Sequence, residues 1–583
     1  MKTNNIKEVK SIPSTLLCDF YKLSHREQYP KGTEMIYSTW IPRMSRKEGI
    51  TKVVAFGYQG FIKKYLINYF NENFFNRPIE DIIAEYKRVL KFSLGIENPS
   101  TDHIEALHKL GYLPIKIKAV KEGTIVPLRV PMLTIENTKS EFFWLTNYLE
   151  TLMSCELWMP STSATLSFEY RKILEGYAKL TNGDTSGVQF QAHDFSMRGM
   201  SCVEASETSG AGHLLSFVGT DTIPAILYHE NYYNADIEKE LVGTSISATE
   251  HSCMCCHGEN NEFDTYKYLI EEVYPNGFIS IVSDTWDLWK VLTDVIAPLK
   301  DSIMARDGKV VIRPDSGDPV KIICGSCEIE DFDNNDYRKD LTLEDCKQYM
   351  REDLEEEINN NTPHGECGSA ENEGIFKFKG KHYNMVIELE WNRYDKQYYF
   401  IEECRISSCE EIELTLEQKG VVEILWDIFG GTITDKGFKQ LDTHIGAIYG
   451  DAITLERCDE ICKQLMDKGF ASTNMVFGVG SFTFQFTTRD SLGYALKATH
   501  AIVNGVERMI FKDPITDDGT KKSLKGMAVV VDNMGKLECI DELDIKGRES
   551  YKEIDLLQDI FLDGKLLFDD SLACIRERLL KNL

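Results

Sequence analysis

The sequence predicts an α/β protein: an irregular parallel (β/α) barrel joined to an α+β layer, with an acidic segment inserted into the barrel. Three observations predict it. From about Val188 onward, short apolar runs end abruptly in polar or glycine residues, with helical spacing next. Before about residue 160 that pattern is absent, and helical and alternating stretches mix. Between Ile322 and Leu416 the pattern stops again and the composition turns acidic.

The first region, residues 1–160, begins with a polar, aromatic helix entry from Thr15 to Tyr29. Phe56 to Phe75 has helical apolar spacing (Phe61, Ile62, Tyr65, Leu66, Tyr69, Phe70). From Leu113 to Thr138 the period changes: Ile115, Ile117 and Ala119 alternate with lysines, and Glu122-Gly123 punctuates, as in antiparallel strands with a turn. Phe142 to Leu157 is helical again. Residues from about 498 to 583, with a strand pattern at Met527 to Val531 and a terminal helix, complete this α+β domain.

The barrel is assigned to residues 161–497. Val188 to Ala192 runs into His193-Asp194-Phe195, Phe278 to Val282 into Ser283-Asp284-Thr285, and Val310 to Ile312 into Arg313-Pro314-Asp315-Ser316-Gly317. Ala447 to Tyr449 runs into Gly450-Asp451, and Met475 to Phe477 into Gly478-Val479-Gly480-Ser481. Repeated strand, polar tip and helix units mean parallel strands with crossovers. In such a barrel the C-terminal strand ends form the active face. The insertion, 322–416, reads as a charged helix (Leu341 to Ile358) followed by a β-meander. It holds 24 acidic and 10 basic residues, a charge of −14, half of the chain's −28.

That overall charge excludes a nucleic-acid surface, which needs a basic footprint. Local arginine and lysine clusters leave an anionic substrate open. The N-terminus lacks the apolar stretch of a signal peptide, no run reaches the ~18 apolar residues of a spanning helix, and sixteen scattered cysteines form no even framework. The expectation is a cytoplasmic protein with free thiols, in contact with neither membrane nor nucleic acid.

The chemistry gathers between Gln191 and His251 and at the later strand tips. Two aspartates at adjacent tips, Asp284 and Asp315, suit Mg²⁺, which takes carboxylates plus substrate phosphates. Arg313 beside them suits bidentate phosphate binding. Taken singly, each Asp reads as a helix cap; with Asp451 on a third tip they read as a site. The Gly478 to Ser481 turn can bring backbone N–H groups to a phosphate, with Arg489, Lys497 and Lys512 downstream as opposing charge. Phe195 can stack on a flat ring, although most phenylalanines are core. Glu250-His251 reads as an acid-base pair, a carboxylate fixing a histidine tautomer. Cys253-Met254-Cys255-Cys256-His257 is too tightly spaced for a usual zinc site. Cys324 and Cys327, with Cys404 and Cys409, resemble a zinc ribbon apart from the CxxxxC spacing of the second pair.

These motifs, in this order, resemble the type II phosphoribosyltransferases of the nicotinate/nicotinamide family. The matching stretches are Asp19 to His25, Gln28-Tyr29-Pro30, Phe56-Gly57-Tyr58-Gln59, His193-Asp194-Phe195 with Arg198-Gly199, Gly219-Thr220-Asp221-Thr222, Glu250-His251-Ser252, Ser280 to Asp284, Arg313 to Gly317, Gly450-Asp451, Thr488-Arg489-Asp490 and Phe511-Lys512-Asp513-Pro514. The resemblance spans the chain outside the insertion. It implies transfer of phosphoribosyl from 5-phosphoribosyl 1-pyrophosphate to nicotinamide, giving nicotinamide mononucleotide and pyrophosphate in NAD salvage. It further implies a homodimer with shared active sites. The pyridine ring is expected between Phe195 and Tyr21 of the second copy, with Asp221 accepting from the carboxamide and so selecting nicotinamide over nicotinate. Arg198, Arg313 and Ser280 are expected near ring and phosphoribosyl group; Asp284, Asp315, Gly450 and Asp451 at the ribose, with Mg²⁺ on Asp284 and Asp315. Gly480, Ser481, Arg43, Arg489, Lys497 and Lys512 are expected at the phosphates, some across the dimer. An oxocarbenium-like transition state makes positioning and pyrophosphate neutralisation the main terms. His251, oriented by Glu250, matches a histidine phosphorylated by ATP.

Two positions depart from the family pattern: Gly446, where an arginine is common, and Ser481, where a third glycine is common. The competing readings are a transferase for nicotinate, a non-catalytic scaffold that keeps the fold, and a metal-dependent barrel hydrolase. The scaffold leaves the intact set of site residues without a purpose. The hydrolase leaves Phe195, Asp221 and Tyr21 unexplained.

Overall fold

The structure, a computed structural model, describes residues 11–326, 328–333, 341–361, 368–395, 398–450, 452–516 and 522–583. The chain divides into two compact units: residues up to Ile173 with Val188–Ser245 and Gly478–Leu583, and Leu174–Gly187 with Ile246–Phe477.

In the first unit both ends of the chain build one antiparallel sheet of seven strands. Its order is Val506–Met509, Tyr494–Val503, Thr33–Pro42, Leu133–Asn137, Ile115–Ala119, Gln558–Leu562 and Lys565–Leu566. The alternation read from the sequence is borne out at Ile115, Ile117 and Ala119, which are buried. Lys118 points out to Asp555, at 2.5 Å. Trp40 stacks on Tyr494 across the sheet with ring centroids 5.4 Å apart, an aromatic pair that adds to simple burial. The terminal helix, Leu572–Leu580, buries Leu572, Ile575 and Leu579 in one cluster with Phe56, Phe168 and Tyr233.

The Phe56-Gly57-Tyr58-Gln59 stretch is structural. Gly57 has φ +106°, and a Cβ there would press on the ring of Pro160 at 2.5 Å, so only glycine fits. Pro160 itself lies inside the long helix Glu150–Thr181. The side chain of Gln59 ties three segments together: its amide donates to the carbonyls of Tyr232 (2.6 Å) and Asp570 (2.9 Å), and its carbonyl accepts from Asp570 N–H at 2.7 Å. Its backbone N–H donates to Glu122 at 2.8 Å. Glu122 is buried, and burial pushes its carboxyl up to about 7 against the hydrogen bonds it accepts.

The second unit carries parallel strands in the order Ser247–Ala248, Asn276–Val282, Asp307–Arg313, Ile445–Tyr449 and Met475–Val479. Spatial order equals chain order. A sheet wound in one direction is barrel-like; a doubly wound sheet reverses at its switch point. The helix Leu455–Asp467 between the last two buries Cys458, Ile461, Cys462 and Leu465, the apolar face expected from the sequence.

The insertion folds on its own core. Strands Ile329–Asp331, Gly368–Phe378, Lys381–Asp395 and Tyr398–Ile412 form a four-stranded sheet. The helix Leu343–Asn361 contributes Cys346, Met350 and Leu354 to a cluster with Phe332, Phe376 and Met385. Its two ends meet: Ser326 N–H donates to Glu417 O at 2.8 Å, and a Cβ on Gly325 would overlap the carbonyl of Gln418.

Two strand boundaries differ from expectation. Val188–Phe190 is a 3-10 turn, and the strand is Ala192–Asp194, so His193 and Asp194 lie in it rather than at its tip. The Met475–Val479 strand likewise absorbs Gly478 and Val479, and the turn begins at Gly480. Glycine reads as punctuation in a sequence, but Gly478 lies within the strand. Among the described residues no helix is long and apolar enough to cross a membrane.

Candidate functional site

In the second unit the expected acidic tips come together. Asp315 N–H donates to Asp284 Oδ2 at 2.9 Å, and the Ser316 hydroxyl binds the same oxygen at 2.5 Å. The other oxygen, Oδ1, is buried with no hydrogen-bond partner among the described residues. The His251 ring lies over this pair, with Nε2 3.7 Å from Asp315 Oδ2 and 4.0 Å from Asp284 Oδ1. Its Nδ1 is 3.1 Å from Thr285 Oγ1. Arg313, the last residue of its strand, donates to Thr249 O at 2.5 Å, and Ser283 N–H returns to Arg313 O at 3.0 Å. Gly450 N–H donates to Pro314 O at 3.1 Å, and a Cβ on Gly450 would overlap Asp315 Oδ1. The bare backbone at Gly450 is therefore what lets Asp315 stand where it does. Asp451 lies outside the described residues.

Glu250 does not orient His251. It is the N-cap of the His251–His257 helix, and its carboxylate accepts from the Ser252 hydroxyl. A residue adjacent in sequence to the first helical position points away from it; Thr285, at the neighbouring strand tip, reaches the ring instead.

In the first unit a second group forms around Ala192–Asp194 and its parallel partner Gly219–Thr220. His193 Nε2 and the Ser245 hydroxyl both bind Asp221 Oδ1, the former at 2.8 Å. The Phe195 ring lies 4.5 Å from that of His193, tilted by 35°. Buried Asp194 is used internally: it accepts from Ser196 N–H at 2.9 Å and Thr220 Oγ1 at 3.3 Å. Arg198 is exposed on the short turn Met197–Gly199. A Cβ on Gly199 would overlap the Ser481 hydroxyl, so the serine that departs from the family pattern packs directly against this turn. Gly480 caps the helix Ser481–Phe484.

The basic residues of this unit are partly spoken for. Lys497 and Lys22 both bind Glu150, at 3.2 and 2.6 Å. Burial pushes the Glu150 carboxyl up, and the two ammonium groups more than reverse this, leaving it below its ordinary range. Arg43 donates to Gly493 O at 3.0 Å, and Arg489 pairs with Asp490 at 3.2 Å. Lys512 is exposed. Tyr21 is 55% exposed, with Lys22 over its ring at 5.1 Å and the His25 ring 4.9 Å away.

Sequence reasoning missed Thr285, Ser316 and Ser245. Thr285 and Ser316 each follow an identified aspartate, so their signal was position beside a strand tip; Ser245 has no such neighbour. Among the described residues no group of three or more His, Cys, Asp or Glu side chains has metal-site geometry. Cys327 lies outside them, Cys324 is buried with its thiol on Ile461 O, and every described cysteine is a free thiol.

A sheet wound in one direction, with an imidazole, a guanidinium and two carboxylates over its C-terminal strand ends, places the chain among barrel-type α/β enzymes. The chain belongs to the nicotinate phosphoribosyltransferase family: the family's model matches residues 190–344 and 402–561. The N-terminal domain of nicotinamide phosphoribosyltransferase matches residues 14–117. The nicotinamide phosphoribosyltransferase of Acinetobacter baylyi is 43% identical over 576 residues, covering 97% of this chain and 96% of that protein. The enzyme of the same name from Mycoplasma pneumoniae is 30% identical, covering 88% and 94%. A solved human nicotinic acid phosphoribosyltransferase aligns over 97% of this chain and 93% of its own at 13% identity and TM-score 0.47; the fold assignment rests on the strand order above. The family model leaves 345–401 unmatched, which lies inside the insertion.

Proposed function

We propose that the chain joins nicotinamide to 5-phosphoribosyl 1-pyrophosphate, releasing nicotinamide mononucleotide and pyrophosphate, as a step of NAD salvage in the cytoplasm. The observation that carries this reading is the Asp284–Asp315 pair under His251, with Arg313 beside it. Asp284 offers a buried carboxylate oxygen that accepts no hydrogen bond among the described residues, an arrangement that costs free energy unless a cation or donor completes it. That donor set fits Mg²⁺ on Asp284 and Asp315, which would share the charge of the pyrophosphate leaving group. Asp315, Gly450 and Asp451 address the ribose hydroxyls, and Arg313 and Arg198 the phosphoribosyl side. Gly480 and Ser481, with Arg43, Arg489, Lys497 and Lys512, serve the phosphates.

Acceptor choice falls to Asp221, held by His193 and Ser245. Its carboxylate accepts from the carboxamide N–H₂ and repels the carboxylate of nicotinate. Phe195 and Ser280 complete the acceptor's surroundings, and Tyr21 of a second copy covers the ring's other face, which makes the working enzyme a homodimer. ATP stimulates the reaction by phosphorylating His251. The ring is half exposed, and Thr285 takes Nδ1, so Nε2 is the nitrogen presented.

The test is product analysis with purified protein, nicotinamide, the pyrophosphate donor and Mg²⁺, with and without ATP, and with nicotinate in competition. Nucleotide formed from nicotinamide in preference to nicotinate is the expected result. The family model is named for nicotinate, and a preference for nicotinate would replace this reading with that one.

A further inference from the structure

His251 opens a seven-residue helix, His251–His257, that also carries Cys253, Cys255 and Cys256. Only Met254 turns inward, at 1% exposure; the rest of the helix is exposed, and all three cysteines are free thiols. None of them serves the transfer reaction. Helical spacing sorts the three: residues three apart share a flank, whereas those one or two apart do not face each other. Cys253 and Cys256 are therefore neighbours, and Cys255 points elsewhere. His257, four residues beyond Cys253, lies on the same flank and offers a base for a thiol proton.

The pair is within reach of a bond. On an α-helix, Cα atoms three residues apart lie about 5 Å from each other, inside the roughly 4.4–6.8 Å that a disulfide spans. Their Cβ atoms, at about 5–6 Å, stand wider than the roughly 3.5–4.5 Å that a disulfide needs. Closure therefore tightens the turn towards 3-10 geometry, in which such side chains eclipse. The start of the helix already lies between the two forms. Glu250 O accepts from Cys253 N–H at 3.0 Å and from Met254 N–H at 3.3 Å.

The two ends of the turn differ in how firmly they are held. Met254 is buried, Gly258 N–H donates to Cys255 O at 3.0 Å, and the Asn261 amide donates to His257 O at 2.8 Å. Ahead of Met254, residues Glu250, His251 and Ser252 are exposed. A bond that draws Cys253 to Cys256 is thus taken up by the first turn, which carries the His251 ring. That ring stands over Asp284 and Asp315, with Thr285 at 3.1 Å from Nδ1.

We propose that Cys253 and Cys256 are a thiol-modification site for low-molecular-weight disulfides, and that closing their bond draws His251 off the Asp284–Asp315 pair. One cysteine sulfur attacks the small disulfide, forming a mixed disulfide and releasing one thiol. The other cysteine sulfur then attacks the mixed disulfide and releases the second thiol. The cysteine pair loses two electrons and two protons, and the small disulfide gains both. Such bonds are transient in a reducing compartment, so the modification is reversible there. Its consequence for ATP stimulation rests on the phosphorylation of His251 given above.

The test treats the reduced full chain with oxidised glutathione, blocks remaining thiols with N-ethylmaleimide, and weighs the digested peptides. The expected product links Cys253 to Cys256, is lighter by two hydrogen atoms, and carries the blocking group on Cys255. In the linked form the ATP-dependent increment in rate falls roughly tenfold or more, basal synthesis is unchanged, and dithiothreitol restores the increment. Amide exchange over residues 251–257 quickens. Cys253→Ser and Cys256→Ser each lack the link and keep the increment after the same treatment; loss of it in both would place the effect at other thiols and overturn the proposal. Cys253 and Cys256 left unlinked once exposed Cys155, Cys202 and Cys574 have reacted overturns the pairing. A linked form with its ATP increment and amide exchange intact overturns the effect on His251. Reduced parent protein without any ATP increment sinks the reading of His251 instead, and peptide mass with amide exchange then decides the thiol site.

Discussion

Nε2 of His251 stands 3.7 Å from the carboxylate of Asp315, although 63 residues and two strands separate them in the chain. The histidine opens a helix and the aspartate follows a strand end, so each is placed by the backbone around it. In the proposed reaction this juxtaposition links an ATP-dependent group to the ribose-binding one.

His251→Ala therefore uncouples the two. The variant is expected to lose the increment in rate that ATP supplies and to retain slow basal synthesis. Initial rates with and without ATP measure it; loss of all activity, or an unchanged ATP response, counts against the role.

Asp284→Asn keeps an acceptor for Asp315 N–H and Ser316 while removing the charge from the unbound oxygen. Activity is expected to fall roughly hundredfold, with a higher Mg²⁺ concentration for half-maximal rate. A titration of Mg²⁺ checks both, and an unaltered Mg²⁺ dependence would remove Asp284 from the metal.

Gly450→Ala places a methyl group on Asp315 Oδ1. The carboxylate has to turn away, so kcat/KM drops by about tenfold or more while the melting temperature changes little. A variant as active as its parent shows that Asp315 is free to move.

Glu122 governs stability rather than chemistry. Its folded pKa is raised to about 7 from 4.5, so between these values the folded state holds a proton that the unfolded chain has released. Stability consequently falls as pH rises from about 4.5 to about 7, by roughly 3 kcal/mol in total. Glu122→Gln, which can still accept from Gln59 N–H, should flatten that slope and be the more stable form at pH 8. Urea midpoints at pH 5 and pH 8 decide it, and parallel slopes for the two proteins would refute the assignment.

The strand tips were legible because a buried parallel strand must be apolar and its end must meet water. Arg313 and Tyr449 stand where the apolar runs stop. The insertion was legible from charge and period. Side-chain partnerships were less so. Glu250 beside His251 looked like its partner, yet helix geometry turned it to Ser252, and Thr285 came from another strand tip. Gln59 stood in the sequence only as part of a stretch matching the family; its three side-chain bonds join segments hundreds of residues apart, which no local pattern encodes.

The meeting of Gly325 with Gln418 at the foot of the insertion has a kinetic consequence. The strand ending in Arg313 cannot acquire its neighbour Ile445–Tyr449 until more than a hundred further residues have been made. A loop of that length is slow to close, and an unpaired strand edge invites aggregation while it waits. An insertion that folds around its own Phe332–Phe376–Met385 core brings its ends together first. The effective separation between the two strands then shrinks to the few tens of residues outside it. The acidic segment thereby acts on the rate at which the parallel sheet is completed, whatever it contributes once the sheet is made.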